Sequence, residues 1–408
     1  MFLEILLFFA VGTALGVLAG LIPGLHPNTI LITLLSFFWL LDDFPLYYAL
    51  ALMVSMAVSN TIVNFIPSIF VGAPDPSTCL SVLPGHRLLA RGEGYHALHL
   101  TVVGGVSVMM LTVLAFPFLL WFIPVVYTGI YTYMHWLLLA VLASLLVQER
   151  GIKKVHALMF FLISGIAGFI LMSTLPSQQV LFPSLTGLFG ISIIITSMAH
   201  SVSLPPQHER RMKRQRMMKG SVAGWLAGMF VGILPGIGAA QAGVLANSIL
   251  RGREKDFLIA LGGINTANIM FTFMALHAIS KTRSGAAVVM SEIAGRISMG
   301  DLYFITLIAL LACFVSSVLT LWLGRRAVSM LGRFSYRRIN TAVLLSITAL
   351  LLAFSGIGGL FIAAVCTVIG VSCAHLGIKR MYLMGFLMLP TMLYFSGLSP
   401  NVLAFLGL

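Results

Sequence analysis

The sequence predicts an all-α polytopic membrane protein made of two inverted repeats, each a Pro-Gly broken-helix hairpin followed by about five transmembrane helices. Three observations carry this reading. Of 408 residues, 59% are hydrophobic and 9% charged, with mean hydropathy +1.05, against roughly 25% charged residues in soluble domains. The motif Gly20-Leu-Ile-Pro-Gly-Leu-His returns 212 residues later as Gly232-Ile-Leu-Pro-Gly-Ile-Gly, and both copies interrupt apolar runs. The basic residues, finally, fall in loops that orient the chain.

Taken in order, with roughly 20 residues per span, the apolar segments are 3–22, 28–41, 46–72, 96–123, 134–147, 155–172 and 180–200. After a basic linker at 205–219 come 220–234, 236–250, 257–280, 302–323, 340–356, 357–377 and 382–397. The first repeat is therefore 1–204 and the second 220–408. The first segment carries Glu4 instead of a basic start and no small-residue cleavage site, so it reads as mature structure and not as a signal peptide. Segments 3–41 and 220–250 each contain a Pro-Gly break between pieces too short to span alone, which makes them re-entrant hairpins. An unpaired backbone group costs several kcal/mol in lipid, so such a break is tolerated only where it is buried in protein or lines a wet cavity. Interruptions at corresponding places in two halves point to a transporter binding site.

Orientation follows from placing Lys and Arg of short loops on the cytoplasmic side. If the first hairpin returns to the side it entered from, 21 of the 24 basic residues, including the linker, lie inside, and both termini lie outside. The two hairpins then enter from opposite faces, which makes the repeats inverted. The net charge of +13 is met by orientation signals and an anionic leaflet and calls for no nucleic-acid partner. Cys79, Cys313, Cys366 and Cys373 lack metal-ligand spacing, so neither a disulfide nor a metal is inferred.

The residues expected to bind substrate begin at the breaks. A helix starting after a Pro-Gly turn presents about four unpaired N–H groups and a positive dipole end, an anion site. Pro23, Gly24, His26, Asn28 and Thr29 supply this in one half, and Pro235, Gly236, Gly238, Gln241 and Asn247 in the other. The packing alternative is that glycines only permit close helix approach, as along Gly12, Gly16, Gly20 and along Gly224, Gly228, Gly232. A second set follows each hairpin: Asn60 and Asn64, then Asn265, Thr266 and Asn268, each on one helix face. These amides hold a substrate oxygen or a sodium ion, or act as interhelical glue. Lys281, Arg283 and Arg296 are the three cations left on the wrong side, and Arg grips a carboxylate bidentately; an exposed loop is the alternative. Asp75, with Ser77 beside it, is a candidate for a coupling cation or a turn cap.

Four regions resemble the large membrane subunit of the tripartite tricarboxylate transporters, in its archaeal-type branch. They are Gly16-Val-Leu-Ala-Gly-Leu-Ile-Pro-Gly-Leu-His-Pro; Gly72-Ala-Pro-Asp-Pro-Ser-Thr with Leu83-Pro-Gly-His-Arg-Leu-Leu-Ala-Arg-Gly-Glu-Gly-Tyr; Leu181-Phe-Pro-Ser-Leu-Thr-Gly-Leu-Phe-Gly; and Gly232-Ile-Leu-Pro-Gly-Ile-Gly. The resemblance implies import of carboxylates by a sodium or proton gradient with no other cofactor. It also implies a small membrane subunit and an extracytoplasmic solute-binding protein as partners, and it leaves room for a homodimer.

The expected function is thus secondary active transport of an organic anion, a di- or tricarboxylate, by alternating access around the two hairpin tips. The alternative is a transporter or flippase of a lipid-linked phosphate such as polyprenyl phosphate. A remote alternative, an intramembrane hydrolase using Asp75, Ser77 or His86, lacks a spaced nucleophile and base.

Overall fold

The computed structural model describes residues 2–22, 30–31, 45–72, 78–198, 207, 217–234, 238–250, 253–282, 285–331 and 336–407. Among them the ordered elements are helices. They are α1 (Phe2–Leu21), α2 (Leu46–Val63) continued by α3 (Phe65–Phe70), α4 (Val82–Ala90), α5 (Gly94–Leu114), α6 (Phe116–Tyr131) and α7 (Met134–Val147). Then come α8 (Lys153–Thr174), α9 (Ser177–Leu185), a π turn at Thr186–Ile191 and α10 (Ser192–Met198). The second half holds α11 (Met218–Ile233), α12 (Ala239–Leu250), α13 (Glu254–Ile279), α14 (Gly285–Ala294), α15 (Met299–Leu331), α16 (Tyr336–His375), α17 (Gly385–Phe395) and α18 (Ser399–Leu406). Eight helical runs among the described residues are long and apolar enough to cross a membrane, ten if two bent pairs count as one span each.

Two expected spans take a different form. Segment 96–123 divides at Ala115, where Pro117 occupies the first turn of α6, a position whose missing N–H leaves no bond unmade. Helices α6 and α7 then meet at 88°. Segments 340–356 and 357–377 join without a linker as α16, with Gly356 at φ 62° and ψ −164°, a conformation glycine alone adopts freely. The chain folds back there. Before Gly356, Ile347 and Leu351 share a cluster with Ile194, and Phe354 meets Phe182 with ring centroids 6.4 Å apart. After it, Ala363 lies against Gly187 and Gly370 against Leu188 and Ser192, so the second arm retraces the first.

Helices of the two halves interleave. In one group of helices α1 packs along α2, and α11 along α13, while α2 packs on α15 of the other half and α13 on α5. Glycines set these distances: a methyl at Gly12 or Gly16 would overlap the carbonyl of Leu52 or Met56, and one at Gly224 would fall 2.7 Å from the Ala260 oxygen. Gly228 is likewise closed by Ile264 and Ala267, and Gly232 by Phe271. The glycine seams read from the sequence are therefore packing seams. A reciprocal crossing joins the halves, with Gly104 on the Ile259 carbonyl and Gly262 on the Thr101 carbonyl.

A second group, α7 to α10 with α16 and α17, repeats the device. Gly168 lies on the Phe386 carbonyl and Gly385 on that of Phe161; Gly370 lies on the Leu188 carbonyl and Gly187 on that of Ala363. These are one crossing with its partners exchanged, the isologous pattern of a two-fold contact. Both groups thus draw helices from both halves.

Candidate functional site

The centre of the first group is formed by the span Leu46–Phe70 and by α13, in each of which 94% of the residues of an 18-residue apolar stretch are buried. Lipid-facing spans can be apolar throughout, but a span enclosed by protein carries polar groups only where they find partners or serve a ligand. Thr13, Ser221 and Thr320 of this group each bury a hydroxyl oxygen with no partner, and on the two central spans themselves two amide donors are unmet. Asn60 is 3% exposed and Asn265 2% exposed, and the Nδ2 of each has no hydrogen-bond partner. Leaving such a donor unsatisfied costs about 1–3 kcal/mol. The hydroxyls of Ser59 and Thr266 beside them are satisfied. Ser316 Oγ donates to Ser59 Oγ at 2.7 Å, joining α15 to α2, and Thr266 Oγ1 donates back to the Gly262 carbonyl at 3.2 Å. Asn64 ends α2 with its N–H on the Asn60 carbonyl at 3.0 Å, and Asn268 is half-buried one turn beyond Asn265.

The glycine seams also set the register between the halves. Leu52 and Met56 under Gly12 and Gly16 correspond to Ala260 and Ile264 under Gly224 and Gly228. Carried along α2 and α13, this makes Asn268 the counterpart of Asn60, and Ala57 that of Asn265. The two unpartnered amides therefore occupy non-equivalent positions in the two halves.

Of the expected binding residues, Pro23, Gly24, His26, Asn28, Thr29, Pro235, Gly236, Arg283, and the pair Asp75 and Ser77 lie outside the described residues. Beyond the second break the described residues resume at Gly238. Gln241 is buried, and its Oε1 accepts the Gly238 N–H at 2.9 Å. Since Gly238 immediately precedes α12, this is the return arm of a capping box, in which a side chain three residues into the helix satisfies the N-cap N–H. Gln241 Oε1 is thus spent on the helix start. A Cβ at Gly238 would come within 2.5 Å of Met384 Cε, so the start of α12 touches the second group of helices. Asn247 lies half-buried further along α12.

Beside α12 stands the turn Cys79–Ser81. Ser68 Oγ donates to the Thr78 carbonyl at 3.1 Å and pairs with Ser81 Oγ at 2.7 Å, fixing the turn to the end of the long buried span. The described end of the loop that contains Asp75 and Ser77 is therefore anchored next to the second hairpin. Lys281 is exposed, just beyond the left-handed Ser280 (φ 50°) that stops α13, and Arg296 is exposed as well.

Several groups had no place in the sequence reading. Arg87 and Arg91 reach Glu254 at 2.9 and 3.6 Å, tying α4 to the start of α13. Gln207 of the linker accepts from the Gly94 N–H and donates to the Leu89 carbonyl, each at 3.0 Å. Lys379 pairs with the buried Glu149 at 2.7 Å, and Tyr382 OH donates to the Leu145 carbonyl and to Glu149. Charge pairs across such sequence separations have no local signature. Burial holds the His86 imidazole below its ordinary pKa, with Nε2 unpartnered.

With at least eight helical runs among the described residues long and apolar enough to cross a membrane, two of them largely enclosed, this is a polytopic membrane protein. The family model described as the tripartite tricarboxylate transporter TctA family matches residues 6–385. The chain belongs to that family. It is also similar to a protein of Methanocaldococcus jannaschii described as uncharacterized, 29% identical over 310 residues, covering 74% of this chain and 77% of the relative. No solved structure matches.

Proposed function

We propose that this chain is the ion-coupled carrier of a small organic anion, a di- or tricarboxylate, and that Asn60 and Asn265 contact the transported species. The observation that carries the reading is the pair of buried, unpartnered amide donors on the two most enclosed spans. Amide N–H groups donate to carboxylate oxygens, and a substrate that arrives between them replaces the hydrogen bonds they lack. The start of α12, capped by Gln241, brings N–H groups and a positive dipole end to the seam between helix groups. An inverted relation of the halves is supported by the exchanged glycine crossings and by the basic loops. Alternating access then comes from movement at the seam near Gly238 and Met384, driven by a sodium or proton gradient. Membership of a tripartite family supports a small membrane subunit and a solute-binding protein as partners.

The test is uptake of labelled di- and tricarboxylates by proteoliposomes, with and without sodium and proton gradients, beside a polyprenyl-phosphate flipping assay. Gradient-dependent carboxylate uptake is expected. Lipid movement without carboxylate flux would replace this reading by the lipid-phosphate one.

A further inference from the structure

The described residues include a cleft of about 560 Å³ that the transport site does not use. It lies wholly within the second half, between α11, the end of α12 and the start of α13, and is lined by Met218, Val222, Leu226 and Ile249 on its apolar wall. Ile249 is 70% exposed and Met218 78% exposed, so this wall opens outward. At one end of the same cleft stand Lys219, Arg253 and Asp256, with Arg253 3.9 Å from Asp256. The cleft is amphipathic along its length: apolar between two helices of a membrane protein, cationic where those helices end.

That arrangement matches one class of molecule in its surroundings. A free anion would use the cations and leave the apolar wall exposed, and a neutral acyl chain would use the wall alone. Only a ligand with an anionic head and a hydrocarbon tail uses both, and clusters of basic residues at the ends of membrane helices attract anionic headgroups. The cations are no part of the repeated packing plan. Through the register set by the glycine seams, Lys219 corresponds to Leu7 and Arg253 to Pro45, both uncharged. The first half therefore carries no cation at these two positions.

We propose that this cleft binds one anionic glycerophospholipid, its phosphate held by Lys219 and Arg253 and an acyl chain laid along Val222, Leu226 and Ile249. The lipid bridges both arms of the second hairpin and the first turn of α13. Arg253 shares its charge with Asp256 until the phosphate arrives, so the site is selective for anionic heads and not merely for lipid.

The experiment is native mass spectrometry of the full chain released from nanodiscs containing equal phosphatidylglycerol and phosphatidylcholine. Wild-type protein is expected to retain one phosphatidylglycerol in preference to phosphatidylcholine, and a Lys219→Ala/Arg253→Ala variant to lose that preference by about thirtyfold, each basic side chain near a surface contributing about fivefold. Lys153→Ala/Lys154→Ala, which removes two exposed cations of the other helix group, serves as the control and should keep the preference. Equal retention of the two lipids by wild-type protein would overturn the proposal, as would an unchanged preference in the Lys219/Arg253 variant. If that variant does not fold, Ile249→Glu, at an exposed position on the apolar wall, is expected to abolish retention instead, and its retaining the lipid would equally overturn the proposal.

Discussion

The two groups of helices use the same packing device and differ in what they enclose. In both, glycines lie directly on backbone carbonyls of a helix from the other half: Gly104 and Gly262 in the first group, Gly168, Gly385, Gly187 and Gly370 in the second. The first group surrounds two asparagines whose amide donors are unmet. In the second, Glu149 is answered by Lys379 and Tyr382, and Ser164 Oγ by the Phe161 carbonyl at 3.1 Å. Packing that recurs in both groups is scaffold. Unanswered polar atoms occur in both groups, Ser184 Oγ and His135 Nδ1 among them in the second; Asn60 and Asn265 differ in that a pure donor is left unmet on the two most enclosed spans, which costs stability without returning it.

The sharpest way to break this comparison is to attack the shared device. Gly262→Val and Gly385→Val each drive a branched side chain onto a backbone carbonyl that cannot swing aside, so both are expected to destabilise by more than about 3 kcal/mol. The outcome to look for is loss of monodisperse protein in size-exclusion chromatography for both variants. A folded Gly385→Val protein would show that the crossings of the two groups are unequal.

Asn60→Ala and Asn265→Ala probe the difference instead. Transport should fall at least tenfold, while thermal stability stays within about 1 kcal/mol of the parent, because the lost group was an unsatisfied donor. A large fall in stability with proportionate loss of transport would make these residues glue after all. In the second group Glu149→Gln strands Lys379, which is half exposed, and should cost about 1–2 kcal/mol with uptake unchanged at low temperature. The parallel change Glu254→Gln, against the exposed Arg87 and Arg91, is expected to cost below about 1 kcal/mol.

The smallest effect concerns pH. Burial lowers the His86 pKa from its ordinary 6.5, so the folded state stays neutral where the unfolded chain takes up a proton. Stability is full above pH 6.5 and declines as pH falls from there toward the depressed folded value. His86→Gln should remove that part of the acid sensitivity, read as a flatter dependence of melting temperature on pH.

Much of this fold was legible in the sequence because membrane spans declare themselves by length and hydropathy. Helix α7 occupies the expected 134–147, and the seams along Gly12 to Gly20 and Gly224 to Gly232 pack as their spacing suggests. What was not legible depends on contacts distant in sequence. The spacing of Asn60 from Asn64 and of Asn265 from Asn268 suggested matched pairs, yet the seam register aligns Asn60 with Asn268. Gln241 reads from the sequence only as a donor or carbonyl beyond a break, while a glutamine three residues into a helix is also a cap, and here its Oε1 closes α12 and leaves its Nε2 as the donor. The interleaving could have been suspected from the doublets Gly104-Gly105 and Gly262-Gly263, since paired small residues on two spans invite a crossing between them.

The reciprocal crossings also bear on what is a foldable unit. Neither half encloses its own central helix: α13 leans on α5, and α2 on α15. A chain severed within the linker 208–216 is therefore expected to survive as two fragments that remain associated through the Gly104 and Gly262 contact, and to fail when either fragment is produced without the other. Co-expressed halves, purified by a tag on one, should bring down their complement in equal amount.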